Sequence, residues 1–267
     1  MATAKELFQQ GELTAAIAQL ISEVKARPTD TSARIFLFEL LCFAGEWDRA
    51  ERQLDVIVTQ GEAGALPYLN CLKAERQRQR LWSESVEPHF LFDPPDSIDL
   101  HLQAIHKTRD GDFAAGRALL DRAEEQRPPR PGTCDGTAFY DLRDADDFIA
   151  PVLEMAIKDQ YAWIPFAQIR SITIAKPTQV RDLLYTHARI ETADGTLAEG
   201  FLLSLYAGSS ASGNDSARLG RMTDWKAYND ELACGVGAKL WMVGDDDVVV
   251  FEVRFLEFDA SGNEAAE

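Results

Sequence analysis

The chain has 267 residues, with 27 basic and 44 acidic side chains and a formal net charge of −17. Its hydrophobic share of 46% is that of a globular chain able to bury a core. Such acidity argues against general binding to nucleic acid or to anionic membranes, both of which draw affinity from Lys and Arg.

The first ten residues, Met1 to Gln10, have no apolar core after Lys5 and do not read as a secretory signal. The apolar run Leu40 to Ala44 is far shorter than the roughly 20 residues of a membrane span. Cys42, Cys71, Cys134 and Cys234 form no CxxC pair and lack histidines at metal-ligand spacing, so they read as free thiols rather than a disulfide framework. These features together predict a soluble protein of a reducing compartment, most simply cytoplasmic.

Apolar residues recur at helical spacing through Arg127. Within that stretch Gly11-Glu12-Leu13-Thr14-Ala15-Ala16 aligns with Gly45-Glu46-Trp47-Asp48-Arg49-Ala50, 34 residues later. Gly111-Asp112-Phe113-Ala114-Ala115-Gly116 is a third copy, close to two periods further on. Pro28 follows Gly11 by 17 residues, and Pro128 follows Gly111 by the same interval. A period of 34 with this pattern resembles the tetratricopeptide helix pair. Glycine ends the first helix, the small residue at position 16, 50 or 116 lets two helices approach, and proline stops the second. Gln77-Arg78-Gln79-Arg80 occupies the register where a further glycine belongs, so the array is degenerate. Lys73–Arg80 reads as a solvated basic helix face, and Ser83–Ser97, with three prolines, as an irregular connection.

The proline- and glycine-rich stretch Arg127–Gly136 marks a change of pattern and predicts two domains, 1–127 and 128–267. Both are acidic, at −6 and −11. In the second, a helix is expected over Phe148–Ile157. Strands are expected over Tyr161–Ile164, Ile169–Ile174, Tyr185–Thr192, Thr196–Tyr206, Lys239–Val243 and Val248–Phe258. Ala193-Asp194-Gly195 and Gly244-Asp245-Asp246-Asp247 are hairpin turns. Gly208–Ser216 reads as a polar loop. The predicted fold is therefore mixed: an all-helical, tetratricopeptide-like array followed by an α+β domain with a mostly antiparallel sheet.

Familiar catalytic patterns find little support. The acidic run Arg143–Asp147 offers carboxylates for a divalent metal, but aspartates capping a helix N-terminus explain it as well. Gly208 to Gly213 has phosphate-loop spacing, yet Asn214-Asp215 stands where Lys and Ser or Thr belong. His101 and His106, five residues apart, fall on different helix faces. No cofactor, metal or catalytic residue is assigned. The aromatic candidates for a partner contact are Trp163, Tyr206 and Trp225, because aromatic side chains dominate interface energies, although most buried tryptophans are core.

The glycine-acid repeat is followed by Arg143–Asp147 (RDADD), Trp163–Ile169 (WIPFAQI), Arg181–Leu183 (RDL), Leu205–Ser209 (LYAGS) and Gly220–Trp225 (GRMTDW). In these residues the chain resembles the ImpE/SciE family, also called TagJ, of bacterial type VI secretion accessory proteins. The resemblance spans nearly the whole chain. It implies a helical repeat-like domain joined to an α/β domain, without catalytic activity. It further implies binding to the N-terminal helix of the small contractile-sheath subunit (TssB, or VipA), and hence a link to sheath assembly or to recycling by the ClpV ATPase. The competing expectations are a metal-dependent enzyme using the Asp144–Asp147 carboxylates, and a repeat scaffold unrelated to secretion.

Overall fold

A computed structural model describes residues 2–259. Its first part is helical: α1 (Ala4–Gln10), α2 (Leu13–Ala26), α3 (Thr31–Phe43), α4 (Trp47–Thr59) and the long α5 (Leu66–Glu84). A two-residue strand, β1 (His89–Phe90), precedes α6 (Ser97–Arg109) and α7 (Phe113–Gln126).

The repeat glycines sit where the sequence places them. Gly11, Gly45 and Gly111 adopt φ of 84°, 70° and 84° and end α1, α3 and α6. In each case the next residue's N–H reaches back to a carbonyl of the helix just ended: Glu12 to Leu7, Glu46 to Leu41, Asp112 to Lys107. This left-handed closure suits glycine, which lacks the Cβ that would clash. Ala16 and Ala50 are fully buried, and a Cβ on Gly116 would lie 2.6 Å from Thr108 Oγ1 on the facing helix. The pairs α1–α2, α3–α4 and α6–α7 are thus built alike. α5 stands alone in the register that lacked its glycine.

Six strands follow: β2 (Gly132–Cys134), β3 (Thr137–Phe139), β4 (Leu142–Asp144), β5 (Val152–Ile157), β6 (Gln160–Pro165) and β7 (Ile169–Ile174). Then come β8 (Tyr185–Thr192), β9 (Leu197–Leu203), the single-turn α8 (Asp215–Arg218), β10 (Thr223–Ala227) and β11 (Ala233–Gly237). The last are β12 (Leu240–Val243), β13 (Asp246–Val249) and β14 (Phe255–Phe258). Among the described residues these make a nine-stranded sheet, β1-β6-β5-β9-β8-β7-β14-β2-β3, a three-stranded sheet, β13-β12-β4, and the ribbon β10-β11. All pairings are antiparallel except β1 with β6, where the helical part lends the sheet an edge strand.

Both predicted hairpins are present. β8 and β9 turn at Asp194, whose carboxylate accepts from Thr196 N–H at 3.0 Å, and β12 and β13 turn at Gly244. Three expectations need correction. Phe148–Ile157 is not a helix: a 3-10 turn over Asp147–Ile149 leads into β5. β5 reads as a continuous apolar run because both of its faces are covered. Val152 and Ala156 pack toward the helices, Leu153 and Met155 toward the three-stranded sheet. Val248–Phe258 is not one strand, since a 3-10 turn at Val250–Glu252 separates β13 from β14. Gly208–Ser216 is not simply a loop; it holds a 3-10 turn, Ser209–Ala211, and the start of α8.

One apolar cluster runs from the helices into the sheet. It joins Leu13, Leu40 and Leu72 to Phe148, Trp163, Tyr185 and Tyr206. A second lies between the two larger sheets, around Met155, Ile164, Trp241 and Leu256. No helix among the described residues is long and apolar enough to cross a membrane.

Candidate functional site

The seam between the helices and the C-terminal strands opens into a groove of about 440 Å³. One wall comes from the end of α3, Trp47, and the Glu75, Arg78, Gln79 and Trp82 face of α5. The other comes from Leu205–Ser212, β10 and β11. Tyr206 forms part of the floor. Its ring lies against Gly235, where a Cβ would come within 2.5 Å of the ring, so glycine is required at that position. Trp225 projects from β10 above it, with ring centroids 6.0 Å apart, and remains 44% exposed. The indole N–H groups of Trp47 and Trp82 on the helical wall have no hydrogen-bond acceptor among the described residues.

Beneath the groove lies a buried charged network. Glu154, on β5, accepts hydrogen bonds from Tyr161 Oη and Lys239 Nζ. Arg78 sits 3.1 Å from Glu75 and 4.0 Å from Glu154, and its Nη1 donates to Leu205 O at 2.9 Å. Arg78 therefore ties α5 to the segment that carries Tyr206. Burial disfavours the charged form of Glu154, yet the charges of Lys239 and Arg78 outweigh it and hold the carboxyl below its usual range. Glu75 goes the other way, because burial dominates. The basic stretch of α5 is thus only partly the solvated face expected. Arg80 pairs with Glu84 in the open, whereas Arg78 is buried.

The acidic run serves the same seam. Asp144 Oδ1 accepts from Tyr206 Oη at 3.0 Å and from Asp146 N–H at 2.9 Å, while its Oδ2 has no hydrogen-bond partner among the described residues. Asp146 accepts from Phe148 N–H at 3.0 Å and from Gly235 N–H at 2.8 Å. It caps a 3-10 turn in place of the helix start that the sequence suggested. Burial raises the Asp144 carboxyl to about 8 and that of Asp146 to about 7. Asp147 lies between Arg117, at 2.7 Å, and Arg143, at 3.0 Å. Asp146, Asp147 and one oxygen of Asp144 face protein donors, and no three His, Cys, Asp or Glu among the described residues gather as a metal site. His101, beside Asp147 O, is held neutral by burial, its pKa lowered to about 4.

Of the three aromatic candidates, the structure brings Tyr206 and Trp225 together at the groove. Trp163 lies elsewhere, fully buried in β6 with its indole N–H on Tyr161 Oη at 2.5 Å, where it supports the sheet. Two residues of the groove that aromatic reasoning passed over are Trp47 and Trp82. Trp47 was visible as the aromatic residue after a repeat glycine; Trp82 carried no local signal.

Arg181, Arg221 and Asp215 tie the helical part to the C-terminal part, while Ser209 holds the Tyr206 segment in place. Arg181 pairs with Glu39 at 2.8 Å and lies over the Tyr68 ring. Ser209 Oγ donates to Tyr206 O at 2.6 Å and accepts from Gly237 N–H at 2.8 Å. Arg221 donates to the carbonyls of Phe8 and Gln9 at the end of α1, and Asp215 accepts from Leu13 N–H at 2.9 Å at the start of α2.

A helix-pair array sharing one core with an α+β unit, with an open aromatic groove at the seam, defines the class of protein. Residues 136–257 match the family described as ImpE protein. Over 260 residues the chain is 34% identical to the type VI secretion system accessory component TagJ of Pseudomonas aeruginosa, across 96% of this chain and 91% of that protein. The X-ray structure of protein VPA1032 from Vibrio parahaemolyticus superposes with a TM-score of 0.87 at 25% identity, across 96% of this chain and 97% of that one. The chain belongs to the ImpE family.

Proposed function

We propose that this chain is a non-enzymatic accessory protein of type VI secretion, acting as an adaptor in the cytoplasm. Its groove takes an amphipathic helix, that of the N-terminus of the small contractile-sheath subunit (TssB/VipA), and so links the chain to sheath assembly or, indirectly, to the ClpV ATPase. The observation that carries this reading is the half-exposed Trp225 standing over Tyr206 in an open groove walled by α5. An exposed aromatic beside a concave apolar surface is the arrangement in which a few anchors at i, i+3, i+4 and i+7 of a helix bury most of their area. The family relationship to TagJ supplies the secretion context.

The test is calorimetric titration of a peptide of the sheath subunit's N-terminal helix into the purified protein. Saturable one-site binding is expected, weakened by about tenfold or more in Trp225→Ala, the usual scale for an aromatic anchor. Silence with both the peptide and the full-length subunit ends the reading.

A further inference from the structure

Among the described residues β10 is bonded on one side only, to β11. The register identifies the backbone groups left over. Gly235 N–H donates to Asp146 Oδ2 and Gly237 N–H to Ser209 Oγ, so both amides turn away from β10. Trp225 and Thr223, directly opposite these glycines, therefore form the non-bonded pairs of the ladder and direct their own N–H and C=O to the open side. Ala227 follows by the same alternation. On that open side Trp225 N–H is met by the carboxylate of its own neighbour Asp224, at 2.8 Å. Asp224 to Ala227 are all exposed. An edge of this kind is a template for another strand.

The side chains say which strand fits. Paired antiparallel with itself about Trp225, the segment is self-complementary. Trp225 falls opposite Trp225 of a second copy, Thr223 opposite Ala227, and Asp224 opposite Lys226, twice over. The outward backbone groups of residues 223, 225 and 227 then meet their counterparts in bonded pairs, and the aromatic and opposite-charge pairs are those that stabilise adjacent strands. The Asp224 carboxylate exchanges its own backbone amide for a lysine. A two-stranded ribbon is marginal alone, and self-pairing turns it into four strands about a twofold axis, a closed arrangement that cannot propagate.

We propose that the free edge of β10 is a homodimer surface, occupied by β10 of a second copy of this chain. The inference rests on the strand's register and charge order; Trp225, Asp224 and Lys226 also line the groove, so self-pairing and occupation of the groove draw on the same strand.

Sedimentation velocity on the protein alone, from micromolar to millimolar concentration, tests it. Physiological salt is used so that screening, with a Debye length of about 8 Å, limits the mutual repulsion of two acidic chains. A concentration-dependent dimer is expected. Asp224→Lys alone, or Lys226→Asp alone, places like charges opposite each other at two symmetric points and weakens the dimer about tenfold. The double variant Asp224→Lys with Lys226→Asp restores it, which separates pairing from loss of the Asp224 bond to its own backbone. Trp225→Cys yields a covalent dimer on mild oxidation, whereas the wild type, whose four cysteines are buried, does not. A wild type that stays monomeric throughout, a dimer indifferent to either reversal, a double variant no better than the singles, or absence of the cross-link each overturns the proposal.

Discussion

The turns at Gly11 and Gly111 share a backbone angle of 84° and the same pattern of glycine, acid and large apolar residue, yet their surroundings differ. At the third pair, Asp112 caps its own helix by accepting from Ala115 N–H at 3.2 Å, and nothing lies within 4 Å of a Cβ built on Gly111. At the first pair, Glu12 makes no side-chain cap. Asp215 does so instead, and Arg221 covers the last carbonyls of α1 while lying over the Phe8 ring. One local signal is thus completed from within its own repeat in one place and from the far end of the chain in the other. A repeat motif fixes the path of the backbone; which atoms satisfy the freed helix ends depends on what the fold brings near.

If the first pair depends on the C-terminal part, disturbing the seam must reach α1 and α2. Arg78→Met is expected to have the largest effect, because it leaves Glu75 buried without its partner and removes the bond to Leu205 O. A loss of about 3–5 kcal/mol in denaturant unfolding is expected. Hydrogen exchange should then show α2 amides losing more protection than α7 amides. Equal loss in both would break the comparison.

The second effect is pH-dependent. The folded protein holds protons on Asp144 and Asp146 that the unfolded chain, at 3.8, has already released. Their contribution is full below that value and is lost as pH rises through about 7 and 8. His101 acts in the opposite sense, but only below 6.5. Between pH 6.5 and 8 the aspartates contribute a falling slope, worth about 2 kcal/mol of unfolding free energy, one pH unit being worth about 1.4. Asp144→Asn should flatten most of that slope in thermal scans; an unchanged slope would place the titration elsewhere.

The smallest effect is the most local. Asp215→Ala and Asp112→Ala should each cost about 1 kcal/mol, the worth of a cap. The first should loosen the opening turn of α2 and the second that of α7, as read by exchange of those amides. Loosening of α2 by neither would mean that Leu13 N–H finds another acceptor.

The parts legible in the sequence are those set by neighbouring residues. Gly11, Gly45 and Gly111 were readable because a left-handed helix end is a local event, and the Asp194-Gly195 turn for the same reason. The β5 segment was not, since a strand buried on both faces has the same apolar run as a buried helix. The candidate site was legible only as a set of aromatic residues. Nothing local separates Trp163, sealed in the sheet, from Trp225 on an exposed edge. The groove itself is made by α5 meeting Leu205–Ser212, more than 100 residues apart, and Arg78 looked like any other member of a basic helix face.

The bond from Leu13 to Asp215 spans 202 residues. On a translating ribosome, at about 5–20 residues per second, the first helix pair therefore emerges some ten to forty seconds before the side chain that finishes it is made. Through that interval the start of α2 is left to water or to a chaperone, and the oldest part of the nascent chain is among the last to be completed.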